Sequence, residues 1–204
     1  MYIISPPPNS LIFAKLAHNS PSTIHLLMLY LLLLVNKVKL FMEVRRSNKE
    51  DIKEILNIFS KAREYMIANG NKDQWINGYP SKEIIEEDIN NKNSYLIIDN
   101  NEIVGTFSFI IGIDETYKRI INGNWHKENI IYGTIHRLAS NNKRKGISKV
   151  CFDYCSSKIN YLRIDTHENN ISMKKAILKY GFKECGNIFV KNGSIRTAYD
   201  YYRE

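Results

Sequence analysis

Ile135-His136-Arg137-Leu138-Ala139-Ser140-Asn141-Asn142-Lys143-Arg144-Lys145-Gly146-Ile147-Ser148 is the stretch on which the reading of this chain turns. A strand-like segment runs into a basic turn, and a helix opens at a glycine. Such a junction suits an anion. Backbone N–H groups at a helix start lack intrahelical partners, the helix dipole adds partial positive charge, and glycine lets a ligand come close. Lys143 and Lys145 add full charges suited to a pyrophosphate. An exposed basic turn that merely caps a helix has the same composition, so these residues alone leave both readings open.

Outward from this junction, strands and helices mix. Upstream, residues 43–45 read as a short strand. Ser47-Asn48-Lys49-Glu50 reads as a capping box, with a hydroxyl at the cap and a carboxylate three residues on. Ile52, Ile55, Leu56, Phe59 and Ala62 form an i, i+3, i+4, i+7 stripe, which predicts a helix ending near Asn69-Gly70. Ser81 after Pro80 opens a shorter helix through Ile89. Residues 95–98 and 103–111 read as strands around a turn at 99–101, and residues 129–138 as another. Downstream come a helix over 146–157, a strand over 161–166 and a helix over 170–180. The last two strands, 182–190 and 194–201, flank Asn192-Gly193, a strong hairpin signal. The expected class is α/β (α+β), a mixed, mostly antiparallel twisted sheet of about seven strands flanked by about four helices.

Two motifs resemble the GNAT superfamily of N-acetyltransferases. Lys143-x-x-Gly146-x-Ser148 is similar to the family's pyrophosphate loop, Q/R-x-x-G-x-G/A, which follows the fourth strand. Lys stands in place of Arg or Gln, and Ser in place of the last small residue. Asn170, with Gly181-Phe182 eleven and twelve residues on, resembles the family's fourth-helix signature N-x(10)-G-F. Both fall in order within a matching succession of elements. The resemblance implies the GNAT fold for a domain over 42–204.

It further implies acetyl-CoA as co-substrate, no metal, and transfer of acetyl to a primary amine by direct attack in a ternary complex. The fourth and fifth strands would splay apart, with the pantetheine arm in the gap and bonded to backbone near Leu138 and Ala139. The pyrophosphate would lie on amides of Lys143, Arg144, Lys145, Gly146, Ile147 and Ser148, and Asn170 would sit beside the cofactor. One position departs from the pattern. Many members carry a Tyr seven residues after the signature Asn, as acid for the leaving thiolate, and here that position is Ile177. Tyr180 lies nearly one helical turn away. The departure keeps a rival open, a non-catalytic acyl-CoA-binding or regulatory module on the same fold.

Acetyl transfer to an amine needs a neutral nucleophile, and an alkyl ammonium has a pKa near 10.4, so a base or water relay must take its proton. His136, late in the fourth strand, is the first candidate, because imidazole titrates in the useful range. A histidine satisfied within the sheet is the competing reading. Asp165 and His167 end the neighbouring strand, although Asp165 with Arg163 or Arg137 reads better as a buried ion pair. Trp75 and Tyr79, between the first two helices, offer an aromatic wall for a cation or an apolar group. Packing against those helices competes. Trp125, His126 and Glu128, ahead of the fourth strand, are further acceptor-side candidates.

The 204 residues allow one full core and are few for two. Of the net charge of +8, residues 1–41 supply three lysines and no acid, leaving 26 basic against 21 acidic residues. That mild surplus suits an anionic cofactor and lacks the clustered basic, aromatic-interleaved element of a nucleic-acid binder. Three cysteines, an odd number without metal-like pairing, argue against a disulfide framework and fit a reducing cytoplasm. The leucine-rich run 26–35 is about half the roughly 20 residues that span a bilayer. Residues 1–41 read as an extension upstream of a functional start at Met42, with a membrane anchor or a packed accessory helix as alternatives. The expected partner is a small-molecule or peptide amine, with no nucleic acid and no membrane; a homodimer stays open.

Overall fold

Along the strands, apolar side chains alternate between two faces, so the sheet carries a core on each side. Tyr95 and Ile97 join one apolar cluster, and Leu96 between them joins another. The computed structural model describes residues 42–203. The expectations for residues 1–41, the leucine run included, lie outside the described residues.

Seven strands form one sheet: β1 (Glu43–Arg46), β2 (Ser94–Asp99), β3 (Glu102–Ile111), β4 (Gly133–Ser140), β5 (Tyr161–Thr166), β6 (Lys183–Phe189) and β7 (Ile195–Tyr202). Their order is β1-β2-β3-β4-β5-β7-β6. Every neighbouring pair is antiparallel except β4 and β5. Among the described residues four α-helices, α1 (Ile52–Ala68), α2 (Lys82–Asn90), α3 (Ile147–Lys158) and α4 (Ile171–Tyr180), complete the expected architecture.

On one face, Ile55, Ile58 and Phe59 of α1 and Ile85 of α2 pack on Leu96 and Ala139. On the other, Ile147, Cys151 and Phe152 of α3 and Ile177 of α4 pack on Phe107, Ile135, Ile164 and Tyr199. A third cluster has no α-helix over it among the described residues. There the connection between β3 and β4 lays Tyr117, Trp125 and Tyr132 against Tyr161, Cys185 and Ala198. Burying each aromatic is worth about 1.5–3 kcal/mol, enough to hold this long connection against the sheet.

Most boundaries move by one residue from the sequence reading, and three of the differences have a cause in the packing. The capping residue is Asn48, one residue later than expected, and it opens a 3-10 turn, Lys49–Asp51, that leads into α1. The Asn48 N–H donates to Asp51 at 2.8 Å, while Ser47 Oγ pairs with Ser94 Oγ at 2.7 Å. Asp51 reaches the cap because Arg45 of β1 holds its carboxylate with two bonds, of 2.7 and 2.8 Å. β4 begins at Gly133 and not at residue 129, since Ile130 and Ile131 are exposed. A glycine is needed there, because a Cβ on Gly133 would come within 2.5 Å of the Phe109 ring. β4 also runs on to Ser140, two residues past the expected end.

Two irregularities in β4 shape the space beside it. Its pairing with β5 stops at Ile135↔Ile164, so the two strands part beyond that point, as expected. Its register with β3 also jumps, from Ser108↔His136 to Thr106↔Ala139. Arg137 and Leu138 therefore stand against Phe107 alone, and Arg137 takes φ 54, a left-handed conformation that a side chain seldom adopts.

Candidate active site

The gap between β4 and β5 opens into a cavity of about 930 Å³, bounded by the α1–α2 connection and the start of α3. His136 lines it. Its Nε2 meets Asp114 Oδ2 at 2.8 Å, and both side chains are mostly buried. Burial works to raise the Asp114 carboxyl. The hydrogen bond and charge of His136, with the Thr116 N–H, more than offset that and hold it below the usual carboxylate range. Asp114 is therefore an anion at neutral pH. With Nε2 turned to Asp114, Nδ1 is the ring nitrogen left to accept a proton, and no hydrogen-bond partner for it occurs among the described residues.

Beside this pair, buried Tyr117 donates its hydroxyl to Asp165, which also lines the cavity. Burial, with Asp165 alongside, pushes the Tyr117 phenol well above its ordinary range, so it stays a neutral donor. This corrects the expected ion pair. Arg163 lies under the rings of Trp125 and Tyr132, and Arg137 turns to Asp88 on α2. His167 is absent from the cavity lining; its Nδ1 accepts from the Asn169 N–H.

At the other end, Ser140, Arg144, Gly146, Ile147 and Ser148 line the cavity, with Leu138 and Ala139 on the strand leading to it. Gly146 caps α3 at φ 87, and the first intrahelical bond is Val150 N–H to Gly146 C=O. Among the described residues the amides of Ile147, Ser148 and Lys149 have no partner and are free for an anion, whereas the Lys143 N–H, expected to join them, donates to Asn141 Oδ1 at 3.1 Å. Close approach of this helix to the sheet depends on Gly105, where a Cβ would come within 2.7 Å of Ile147. Lys143 and Lys145 do not line the cavity, contrary to expectation. Glu102 draws the Lys143 ammonium away, Asp99 binds Arg144, and Lys145 is exposed.

The residues present fit a coenzyme A molecule. Thr166 Oγ1 lines the same gap, buried and without a partner among the described residues. The edge of β4 past Ile135 has no strand partner from β5, as an amide-rich arm requires. Asn170 caps α4 by accepting from the Met173 N–H at 3.2 Å and donates to Gln74 at 2.8 Å, at the cavity wall. Ile177 is fully buried in the core, so no acid stands at that position. Tyr180 bonds Ser156 and Asp153 and is absent from the cavity lining.

Trp75 and Tyr79 form an aromatic corner of the cavity, with ring centroids 6.3 Å apart. Phe59 packs edge-on against Trp75 at 5.4 Å, so this corner also serves the core. Glu128 is exposed and does not line the cavity. Its segment lies ahead of β4, where the chain covers the β5–β7 part of the sheet; His126 there turns to Asp200. Sequence reasoning missed Asp114, Asp88 and Arg196, all of which line the cavity. Only Asp114, just past an apolar strand and ahead of Glu115-Thr116, carried a local signal, that of a turn cap.

No protein-family model and no curated protein matches the sequence. Solved structures do. A GNAT-family acetyltransferase from Streptococcus agalactiae 2603 is 28% identical, with TM-score 0.73, over 80% of this chain and 96% of that one. One from Listeria monocytogenes 4b F2365 is 19% identical, with TM-score 0.60, over 79% and 95%. One from Staphylococcus aureus Mu50 is 17% identical, with TM-score 0.52, over 80% and 100%. The last two speak to the fold alone. The parted β4 and β5, the free amides at the start of α3 and this likeness agree, and the chain has the fold of the GNAT superfamily of acetyltransferases.

Proposed function

We propose that this domain transfers the acetyl group of acetyl-CoA to a primary amine by direct attack in a ternary complex. The observation that carries the reading is the His136–Asp114 pair inside the gap between β4 and β5. Asp114 fixes the imidazole through Nε2, leaving Nδ1 to take the ammonium proton, directly or through one water. The carboxylates of Asp114 and Asp165 attract a cationic acceptor, and Trp75 and Tyr79 supply an aromatic surface for it. The freed amine attacks the thioester carbonyl, a C–N bond forms, the C–S bond breaks, and the nitrogen sheds its second proton to water. A thiol pKa near 8.5 lets sulfur leave as the thiolate and take its proton from water, which suits a site with Ile177 at the usual acid position.

That same Ile177 favours the second reading, an acyl-CoA-binding module without turnover. Acetyl-CoA with a panel of primary amines, read by release of free thiol, separates the two. Thiol release with at least one amine supports the transferase. Tight CoA binding without release across the panel supports the module.

A further inference from the structure

The strongest unassigned group of side chains lies at residues that do not line the acetyl cavity, where the β3–β4 connection meets the β6–β7 edge. His126 Nδ1 is 2.8 Å from Asp200 Oδ1 and 3.3 Å from Cys185 Sγ, and all three donor atoms lie within 4.8 Å of one another. We propose that His126, Cys185 and Asp200 form a binding site for a zinc-class divalent cation, which ties the β3–β4 connection to the sheet edge.

Two separate features of the backbone build this convergence. The register between β6 and β7 shifts between Glu184 and Gly186, so Cys185 is the extra residue of a bulge, re-aimed relative to its strand. The segment leading to His126 is pinned against that bulge by the Ile121↔Asn187 bridge. The approach is so close that a Cβ on Gly123 would come within 2.0 Å of the Cys185 carbonyl, and one on Gly186 within 2.7 Å of the Ile121 carbonyl.

The pattern of contacts excludes a nucleophilic triad. In a triad, one ring nitrogen faces the nucleophile and the other faces the carboxylate. Here both partners address Nδ1. Convergence of one N, one S and one O on a common point is what a borderline-soft cation takes. Tetrahedral zinc places neighbouring N and O ligands about 3.3 Å apart, so His126 and Asp200 would open by about half an ångström to admit the ion. The His126 side chain is 48% exposed, which leaves an entry path and a fourth position for water.

The surroundings support the ligands. Asp200 Oδ2 accepts from Tyr161 Oη at 2.6 Å and from the His126 N–H at 2.9 Å, which leaves Oδ1 for the ion. Arg163, across from Asp200 in β5, would repel a cation. Its guanidinium is instead turned under Trp125 and Tyr132 and donates to the Lys127 carbonyl. Burial, with Asp200 beside it, pushes the free Cys185 thiol up to about 12, and a bound cation reverses that by taking the thiolate.

The test uses the full chain, stripped with a chelator and titrated with cobalt(II). One cobalt per chain with thiolate-to-cobalt charge-transfer absorption is expected. Zinc should raise the melting temperature by mass action on the folded state. Cys185→Ser and His126→Ala should abolish the absorption and the zinc-induced shift. Tyr161→Phe removes the hydroxyl that donates to Asp200 and accepts from the Lys127 N–H, leaves all three ligands in place, and should weaken binding roughly 10- to 100-fold. Retained CoA binding shows that each variant is folded. Cobalt bound without thiolate absorption, or a zinc-induced shift that survives in Cys185→Ser, would overturn the proposal and assign the metal to other histidines.

Discussion

The guanidinium of Arg137 closes on both oxygens of Asp88, with Nε on Oδ2 at 2.9 Å and a terminal nitrogen on Oδ1 at 2.6 Å. This fork joins the bulge of β4 to α2, between side chains only 14% and 13% exposed. Removing one partner of a fully buried pair costs about 3–5 kcal/mol, because the other charge is stranded. This pair is partly wet, so Arg137→Ala should lower the unfolding free energy by about 2–3 kcal/mol. Urea denaturation with an unchanged slope measures it. Arg137→Lys keeps the charge without the fork and should recover less than half of the loss. If the alanine variant is as stable as the parent, the fork does not hold β4 in place.

Gly146 offers a test of the phosphate site. A Cβ there meets nothing within 4 Å, so it would project into open space, and φ 87 makes any side chain mildly strained. Gly70, at φ 80 with nothing within 4 Å, shares those properties but does not line the cavity. Both Gly→Ala variants should lose about 1 kcal/mol of stability. Only Gly146→Ala should also weaken CoA binding, by about tenfold, since its methyl meets the ligand at the helix start. Replacing Lys143 and Lys145 by Gln should change affinity less than this, because their ammonium groups stand away from the cavity. Equal CoA affinity in the two glycine variants would remove the start of α3 from the site.

Local structure is legible in the sequence, and long-range partners are not. Residues 161–166 form a strand with the bounds expected, because their composition and the flanking turn residues agree. Asn170 caps its helix where the motif places it. Ile130 and Ile131, by contrast, look like strand residues, yet they are exposed in the connection, and only the packing of Gly133 on Phe109 decides where β4 begins. Asp114 lies 22 residues from His136, and the bulge at Arg137 depends on the register with β3. Such pairings are set by tertiary packing and leave no spacing to read. Glu128 is close to β4 along the chain, but in space it is exposed and away from the cavity.

The Arg45–Asp51 clip predicts a specific response to acid. The hydrogen bond from Arg45 lowers the Asp51 carboxyl, against burial, with help from the Asn48 N–H. A depressed carboxyl stabilises the fold above its unfolded pKa, near 3.9, and loses that contribution as pH falls through the lower folded value. Arg45 is 43% exposed, which discounts the ion pair, and the cap adds its own share. Asp51→Asn should therefore cost about 1–1.5 kcal/mol at pH 7. The gap between parent and variant should close below the parent's folded pKa. A gap that is constant from pH 7 to acid would show that packing, and not charge, holds this corner.

The proposed base makes the sharpest forecast. His136→Ala should lower turnover by about 10²-fold or more, the low end for general-base catalysis. CoA binding should persist, because backbone amides and not the imidazole hold that molecule. His136→Gln can hydrogen-bond but cannot take a proton, so it should be as slow as Ala. Asp114→Asn removes the anion that orients the imidazole, so it should slow turnover while CoA binding persists. Loss of CoA binding together with turnover would make Asp114 merely structural. Recovery of most of the rate by Gln would make His136 a positioning residue, with the proton passing to water or to Asp165. Loss of CoA binding in His136→Ala would place the imidazole in the architecture of β4 and outside the chemistry.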